Sequence, residues 1–235
     1  MPKKKLVKKR RLKWKSILKL LSIIALISLV IFALLQIKTK RIIIKGNNYV
    51  TDNEIIEASG YKYYPKLSLY TSQTIKNNLL SLPLLASVNI KKTVLGSLII
   101  TVKENKPLFY NRNSSKLVLS DKKEITSTNL YGVPVLVNSV PNTYYERFIE
   151  KLNTIDENVL KLISEIEYDP WKSNDVLIDE TRFVLRMNDG NTVYVNLIHL
   201  DKLNNYIEIF ASLENKKGIL YLDSSSDKIS FSLNK

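Results

Sequence analysis

The residue types that most often carry chemistry are scarce in this chain. Cysteine is absent and histidine occurs once, at His199. Without cysteine there are no disulfides, no thiol nucleophile and no zinc site built on thiolates. A histidine works as a general base where a nucleophile and an orienting acid converge on it. No such triad can be assembled around His199, which reads as a surface or capping residue beside a helix start. HExxH, Walker, GxSxG and GxGxxG patterns are missing. Ser-x-x-Lys, a motif of penicillin-interacting serine enzymes, recurs at Ser16, Ser59, Ser120, Ser225 and Ser232. In a chain this rich in serine and lysine that recurrence is chance, and the companion Lys-Thr-Gly is missing. The acid pairs Asp156-Glu157 and Asp179-Glu180 fall where helix starts and turns favour acids. Asn113-Ser114-Ser115 is a glycosylation sequon that matters only in a eukaryotic secretory route. The expectation is a protein with no catalytic residue, no metal, no cofactor and no small-molecule substrate.

What remains is a backbone feature. Ile229-Ser230-Phe231-Ser232-Leu233 alternates apolar and polar side chains, with no following element to cover it. A terminal edge strand is a template for strand addition by another chain. On composition alone, an ordinary last strand paired on one side is the simpler reading.

The elements that position this strand are set out along the chain from an apolar run, Leu20 to Ile37, which holds no charged residue. As a helix it covers about 27 Å, close to the hydrocarbon thickness of a bilayer, and a helix satisfies its own backbone hydrogen bonds in lipid. We read it as one transmembrane helix. It is longer than a signal-peptide core, lacks a small-x-small exit and is followed at once by charges, so the expectation is an uncleaved anchor. The chain has 36 basic and 22 acidic residues, net +14. Ten of the basic residues precede the run without an acid among them, and Lys38, Lys40 and Arg41 follow it. From Ile42 onward 23 basic residues face 22 acids, so the excess is juxtamembrane and no nucleic-acid partner is expected. This asymmetry favours a cytoplasmic N-terminus, with the tail 1–19 against anionic lipid and Trp14, Lys15 and Lys19 at the interface.

After the run, Ile42-Ile43-Ile44 is a strand stopped by Gly46-Asn47-Asn48. Thr51 to Glu54 fits a capping box, with Val50 and Ile55 as a hydrophobic staple. Ile75, Leu79 and Leu82 predict a second helix ended by Pro83. Val88 and Ile90, then Leu98, Ile100 and Val102, alternate on either side of Leu95-Gly96-Ser97 and predict a hairpin. The order strand, helix, helix, strand, strand implies one sheet covered by two helices on one face. Pro107 marks the boundary, and a second unit runs from Leu108 to the end. Its strands are expected at Phe109-Tyr110, Lys116–Leu119, Val133–Leu136 as a restricted edge, Ile166–Tyr168, Val176–Ile178, Phe183–Met187, Gly218–Leu222 and Ile229–Leu233. Helical stripes are expected at Tyr145, Phe148, Ile149 and Leu152, at Ile155, Val159, Leu162 and Ile163, and at Leu203, Ile207, Phe210 and Leu213. Asp189-Gly190 predicts a hairpin whose central positions accept positive φ. Ser224 to Asp227 reads as the last turn.

The order of parts resembles a known family. The basic tail, the single apolar helix, IIIKGNNYVTDNEIIEASGY, the hairpin ending TVKENKP, and a last unit with Asn188-Asp189-Gly190 and GILYLDSS look like the FtsQ/DivIB cell-division proteins. The resemblance implies an α+β protein: one N-terminal transmembrane helix, a small βααββ POTRA domain over 38–107, and a larger mixed α/β domain with a mostly antiparallel sheet, the β domain, over 108–235. It also implies a non-enzymatic divisome scaffold in the plasma membrane at the septum, which binds FtsB/DivIC-like and FtsL-like bitopic partners. In the family the last strand receives a partner strand. Carried over by position, Ile219 and Tyr221 lie in the penultimate strand, while Ser230, Phe231, Ser232 and Leu233 present the open edge. The competing expectations are a membrane-anchored cell-wall enzyme and a POTRA-bearing component of protein transport.

Overall fold

The computed structural model describes residues 14–127, 129, 131–214, 216–224 and 229–233. Most of the basic tail, and Ser225 to Asp227 of the last turn, lie outside them. The apolar run forms α1 (Trp14–Leu35), none of whose residues is buried. It is long and apolar enough to cross a membrane. The helix ends at Leu35 instead of Ile37. Gln36 closes the last turn on Ala33, and the Ile37 carbonyl accepts the Leu67 N–H at 2.9 Å. That long-range bond takes Ile37 out of the helical ladder.

Beyond α1 the chain divides into two compact units, one including residues up to Leu82 and Ser87–Lys103, the other Pro83–Ala86 and Glu104 onward. In the first, β1 (Arg41–Lys45), α2 (Asp52–Ala58), α3 (Ser72–Leu79), β2 (Leu85–Lys92) and β3 (Ser97–Glu104) make a three-stranded sheet of order β1-β3-β2. β1 and β3 are parallel, with Ile42 opposite Leu98 and Ile44 opposite Ile100. Thr51 accepts the Glu54 N–H while the Glu54 carboxylate accepts the Thr51 N–H at 2.8 Å, so the capping box forms. Ile55, Ile75, Leu79, Leu98 and Ile100 are fully buried. Leu82 lies past the end of α3, in the turn before Pro83.

The second unit is built on a nine-stranded mixed, mostly antiparallel sheet. Its strands are β4 (Pro107–Asn111), β5 (Lys116–Leu119), β6 (Glu124–Ile125), β7 (Val135–Leu136), β8 (Ile163–Tyr168), β11 (Arg182–Met187), β12 (Thr192–Asn196), β13 (Gly218–Tyr221) and β14 (Ser230–Leu233). β9 (Trp171–Ser173) and β10 (Val176–Asp179) pair separately. The sheet order is β14-β13-β12-β11-β8-β7-β4-β5-β6. The helices are α4 (Asn142–Asn153), α5 (Glu157–Leu160) and α6 (Tyr206–Ser212), the last preceded by a 3₁₀ helix, Leu200–Asn205. Phe148 of α4 stacks on Phe183 of β11 with ring centroids 4.7 Å apart, inside a core that also takes Phe109, Leu152, Ile166 and Val195.

Four sequence expectations are corrected. The strand around Pro134 is not an edge. β7 lies between β4 and β8, parallel to both, and Pro134 sits just before it, offering its carbonyl to the Tyr110 N–H at 2.9 Å. Proline is tolerated there because only its acceptor is used. The stripe Ile155 to Ile163 is a single helical turn, α5, and Ile163 already begins β8, drawn into the sheet opposite Met187. The stripe at 203–213 is shifted. Leu200, Leu203 and Tyr206 are buried while Ile207 is 52% exposed, because a 3₁₀ segment repeats every three residues. Finally, the Asp189-Gly190 hairpin has a three-residue loop in which Gly190 alone takes positive φ, +91°. The two-residue loop with both central φ positive is at Asn174-Asp175, between β9 and β10.

Candidate functional site

The terminal edge is assembled from β12 outward. β13 runs parallel to β12, with Thr192 opposite Ile219 and Tyr194 opposite Tyr221. β14 returns antiparallel, placing Leu233 opposite Gly218, Ser232 opposite Ile219, Phe231 opposite Leu220 and Ser230 opposite Tyr221. It is the last strand of the sheet, so among the described residues its outer side has no strand partner. In an antiparallel pair alternate residues turn their N–H and C=O away from the partner, which leaves these groups on β14 available to a further strand.

All six residues expected at this edge are brought together on β13 and β14, on two different faces. Phe231 shares a face with buried Leu220 and packs against the core. Leu233, on that same face at the strand end, is exposed. Ser230 and Ser232 are exposed on the other face, with Ile219 and Tyr221 half-buried beside them. The Tyr221 ring stacks on Tyr194 at 5.3 Å, and the Arg182 guanidinium lies 4.9 Å from the Tyr194 ring centre. Arg182 is fixed by Asp169, at 2.6 Å from its carboxylate and 2.9 Å from its carbonyl. The strands therefore rest on a rigid polar and aromatic layer.

Two features of this edge are not visible in the terminal residues. The first is Gly218. A Cβ there would lie 2.2 Å from the Ser232 carbonyl oxygen and 2.7 Å from the Phe231 ring, so only glycine lets β14 close onto β13 with the phenylalanine lying across it. The second is a buried network that sets where β13 begins. The Gly218 N–H donates to Asn191 Oδ1 at 2.8 Å, Asn191 Nδ2 donates to the Tyr206 hydroxyl at 2.9 Å, and that hydroxyl donates to Asp189 at 2.6 Å. Burial, then the bond to Asp189, pushes the Tyr206 hydroxyl well above the ordinary tyrosine pKa, so it stays a donor. Asn191 follows Asp189-Gly190 directly. The hairpin motif was the available signal, but nothing local marks its asparagine as the partner of residue 218.

Several of the residues whose types could do chemistry make structural contacts. Ser59 is buried at the end of α2, its hydroxyl donating to the Ile56 carbonyl, and Ser120 accepts the Lys106 N–H. Ser16 lies in α1, Ser232 lies on β14, and Ser225 lies outside the described residues. Asp156 caps α5, while Asp179 accepts from Thr181 and Asn196. His199 borders a cavity of about 760 Å³ shared with Trp171, Ile178, Arg182 and Tyr221. Its Nδ1 is buried without a hydrogen-bond partner among the described residues. No acid is bonded to it there, and no group of three or more histidine and acid side chains among the described residues converges as a metal site would require.

The fold and this site define a class: a protein with a membrane-length helix, a βααββ unit, and a larger mixed sheet whose open feature is a backbone edge. A family model described as a POTRA domain, FtsQ-type, matches residues 37–105. Among curated proteins, the cell division protein DivIB of Bacillus cytotoxicus is 28% identical over 66% of this chain and 60% of its own length. DivIB of Bacillus subtilis (strain 168) is 27% identical over 79% of this chain and 72% of its own length. Among solved structures, the major extracytoplasmic domain of DivIB from Geobacillus stearothermophilus is 25% identical, covering 48% of this chain and 97% of that one with a TM-score of 0.36. The chain thus carries a match to the FtsQ-type POTRA model and is similar over most of its length to DivIB cell-division proteins.

Proposed function

We propose that this protein is a non-enzymatic bitopic scaffold of the bacterial divisome, anchored by α1 with its N-terminus in the cytoplasm and its two units outside, at the septum. Its partners are single-span division proteins of the FtsB/DivIC and FtsL kinds, and one of them binds by adding a strand to β14. The working division is tail 1–19, anchor 20–37, POTRA domain 38–107 and β domain 108–235, with the anionic inner leaflet around the tail.

The observation that carries this reading is the uncharged, four-residue outer strand with no strand beyond it among the described residues. Main-chain hydrogen bonds supply affinity in strand addition, and the side chains that face the incoming strand set its register. Ser230 and Ser232 are small and exposed, so they admit a close neighbour, while Ile219 and Tyr221 flank them with apolar surface and Leu233 is exposed on the opposite face at the strand end. Phe231 contributes by holding β14 down on the core.

The test is capture of the FtsB-like partner from dividing cells by the full chain and by its Ser230→Pro and Ser232→Pro variants. Proline deletes a donor and restricts the strand, so loss of capture by at least one variant is expected, and undiminished capture by both overturns the assignment. A fluorescent fusion should concentrate at the septum. Acylation of any of its serines by a labelled β-lactam would favour the enzyme reading instead.

A further inference from the structure

Two loops of the smaller unit are bonded to the few residues that leave α1. In the first, Tyr61 to Tyr70, the Ser68 hydroxyl donates to the Leu35 carbonyl at 2.7 Å and the Lys66 amine to Gln36. Leu67 donates to Ile37, Lys38 and Lys66 form an antiparallel bridge, and Thr39 gives both its N–H and its hydroxyl to the Pro65 carbonyl, at 3.0 and 2.6 Å. The second loop is the β2–β3 turn. Lys40 donates to the Gly96 carbonyl at 2.7 Å, and Gly96 lies so near the Lys38 carbonyl that a Cβ would sit 2.8 Å from it. The first loop is also tied to the sheet, since the Leu67 carbonyl accepts the amine of Lys92, the last residue of β2, at 2.6 Å, and it is closed on itself by the Tyr61 hydroxyl, which donates to the same carbonyl at 3.0 Å. Burial lowers the pKa of Lys92. Both loops are therefore held level with the C-terminal end of the apolar helix.

Their tips are apolar and uncovered. Tyr63 is 87% exposed, Leu95 is 76% exposed and Val94 is 71% exposed, with Tyr64 and Leu69 also outside. A soluble domain gains nothing from a two-residue aliphatic turn in water. Across residues 36–41, 61–70 and 91–97 there are seven lysines and arginines and no acid. Tyrosine at the interface, aliphatic tips and single-sign basic charge is the combination that suits an anionic bilayer surface.

We propose that these two loops form a second membrane contact, in which Tyr63, Tyr64, Leu69, Val94 and Leu95 enter the headgroup region of the leaflet that α1 leaves while the surrounding lysines engage anionic lipid phosphates. The inference rests on the reading of α1 as the membrane anchor. Its consequence is that the smaller unit is oriented on the membrane by three points, the helix and two loops, instead of swinging on one.

The absence of cysteine allows single spin labels in the otherwise intact chain. Labels at Tyr63→Cys, Leu95→Cys, Ser28→Cys in α1 and Thr101→Cys would be read in vesicles of phosphatidylglycerol with phosphatidylcholine, and in phosphatidylcholine alone. Thr101 is exposed and lies four residues along β3 from the turn, about 13 Å away. In the anionic vesicles, labels at 63 and 95 should be several-fold less accessible to a water-soluble nickel complex than the label at 101, and more accessible to oxygen. The contrast should shrink in phosphatidylcholine and when Val94→Ser is added. If the label at 28 is in lipid but those at 63 and 95 are as wet as 101, the proposal is overturned and the anchor stands; a protein-docking surface would give this result. If the label at 28 is itself in water, the anchor reading fails, and the proposal with it. Equal protection in both lipids would overturn the role given to the lysines.

Discussion

At one end of the nine-stranded sheet β6 is two residues long, and its Glu124 is engaged by Lys116 at 3.8 Å and by the Tyr145 hydroxyl. At the other end β14 is four residues long, Ser-Phe-Ser-Leu, with no charge. The two edges share one sheet and one core, yet only the first carries the devices that discourage pairing, shortness and charge. The difference teaches that the two edges of one sheet are built differently. β14 is held in place from behind, by Gly218 and Phe231, while its front is left small and neutral.

The comparison can be broken most severely at Gly218. Gly218→Ala forces a methyl group into the Ser232 carbonyl, and we expect a loss of about 3 kcal/mol in urea unfolding, together with fast hydrogen exchange of β14 amides and loss of partner capture. β6 should exchange as before. Next is Tyr206→Phe, which leaves the buried Asn191 short of a partner and Asp189 without its hydroxyl donor. The expected cost is about 2 kcal/mol, with faster exchange at the Gly218 amide. A control in the smaller unit sharpens the contrast. Thr51→Ala removes the capping box of α2 and should cost about 1 kcal/mol while leaving partner capture by β14 intact. The same cap gives a pH signature. Hydrogen bonding to the Thr51 N–H, then to its hydroxyl, holds the Glu54 pKa below its ordinary 4.5. A depressed carboxylate stabilises the folded state above that value and loses the contribution as pH falls through the lower folded one. The gap between wild type and Glu54→Gln should therefore narrow in acid unfolding below pH 4.5. The smallest stability effect belongs to Ser232→Lys, within about 0.5 kcal/mol for an exposed site. Transferring the charge of the blunted edge to the open one should nonetheless abolish strand addition, and a matching Ile125→Ser change at β6 should create none.

Much of the fold was legible because its signals are local. The capping box at Thr51–Glu54, the β2–β3 hairpin, the stripe of α4 and the alternation of β14 each depend on residues within one or two turns of chain, and each forms as expected. Errors arose where a distant partner decided. Ile163 reads as helical by spacing but is taken by Met187, twenty-four residues on. Pro134 reads as an edge marker, yet its strand lies inside the sheet because only its carbonyl is needed. The β9–β10 hairpin has its local signal in Asn174-Asp175, both at positive φ, but without the glycine that makes Asp189-Gly190 plain.

By itself the sequence determined the membrane-length apolar helix, the βααββ order, the absence of cysteine chemistry and the alternation of the last strand, because composition and short-range periodicity act before the chain closes on itself. Only the tertiary structure decided that β13 starts where Asn191 and Tyr206 hold it, that Gly218 is the seat of Phe231, and that two loops are bonded to the exit of α1. Those depend on backbone groups far apart in the chain competing for the same hydrogen bonds and the same volume, and such a competition is settled only when the sheet and core have formed.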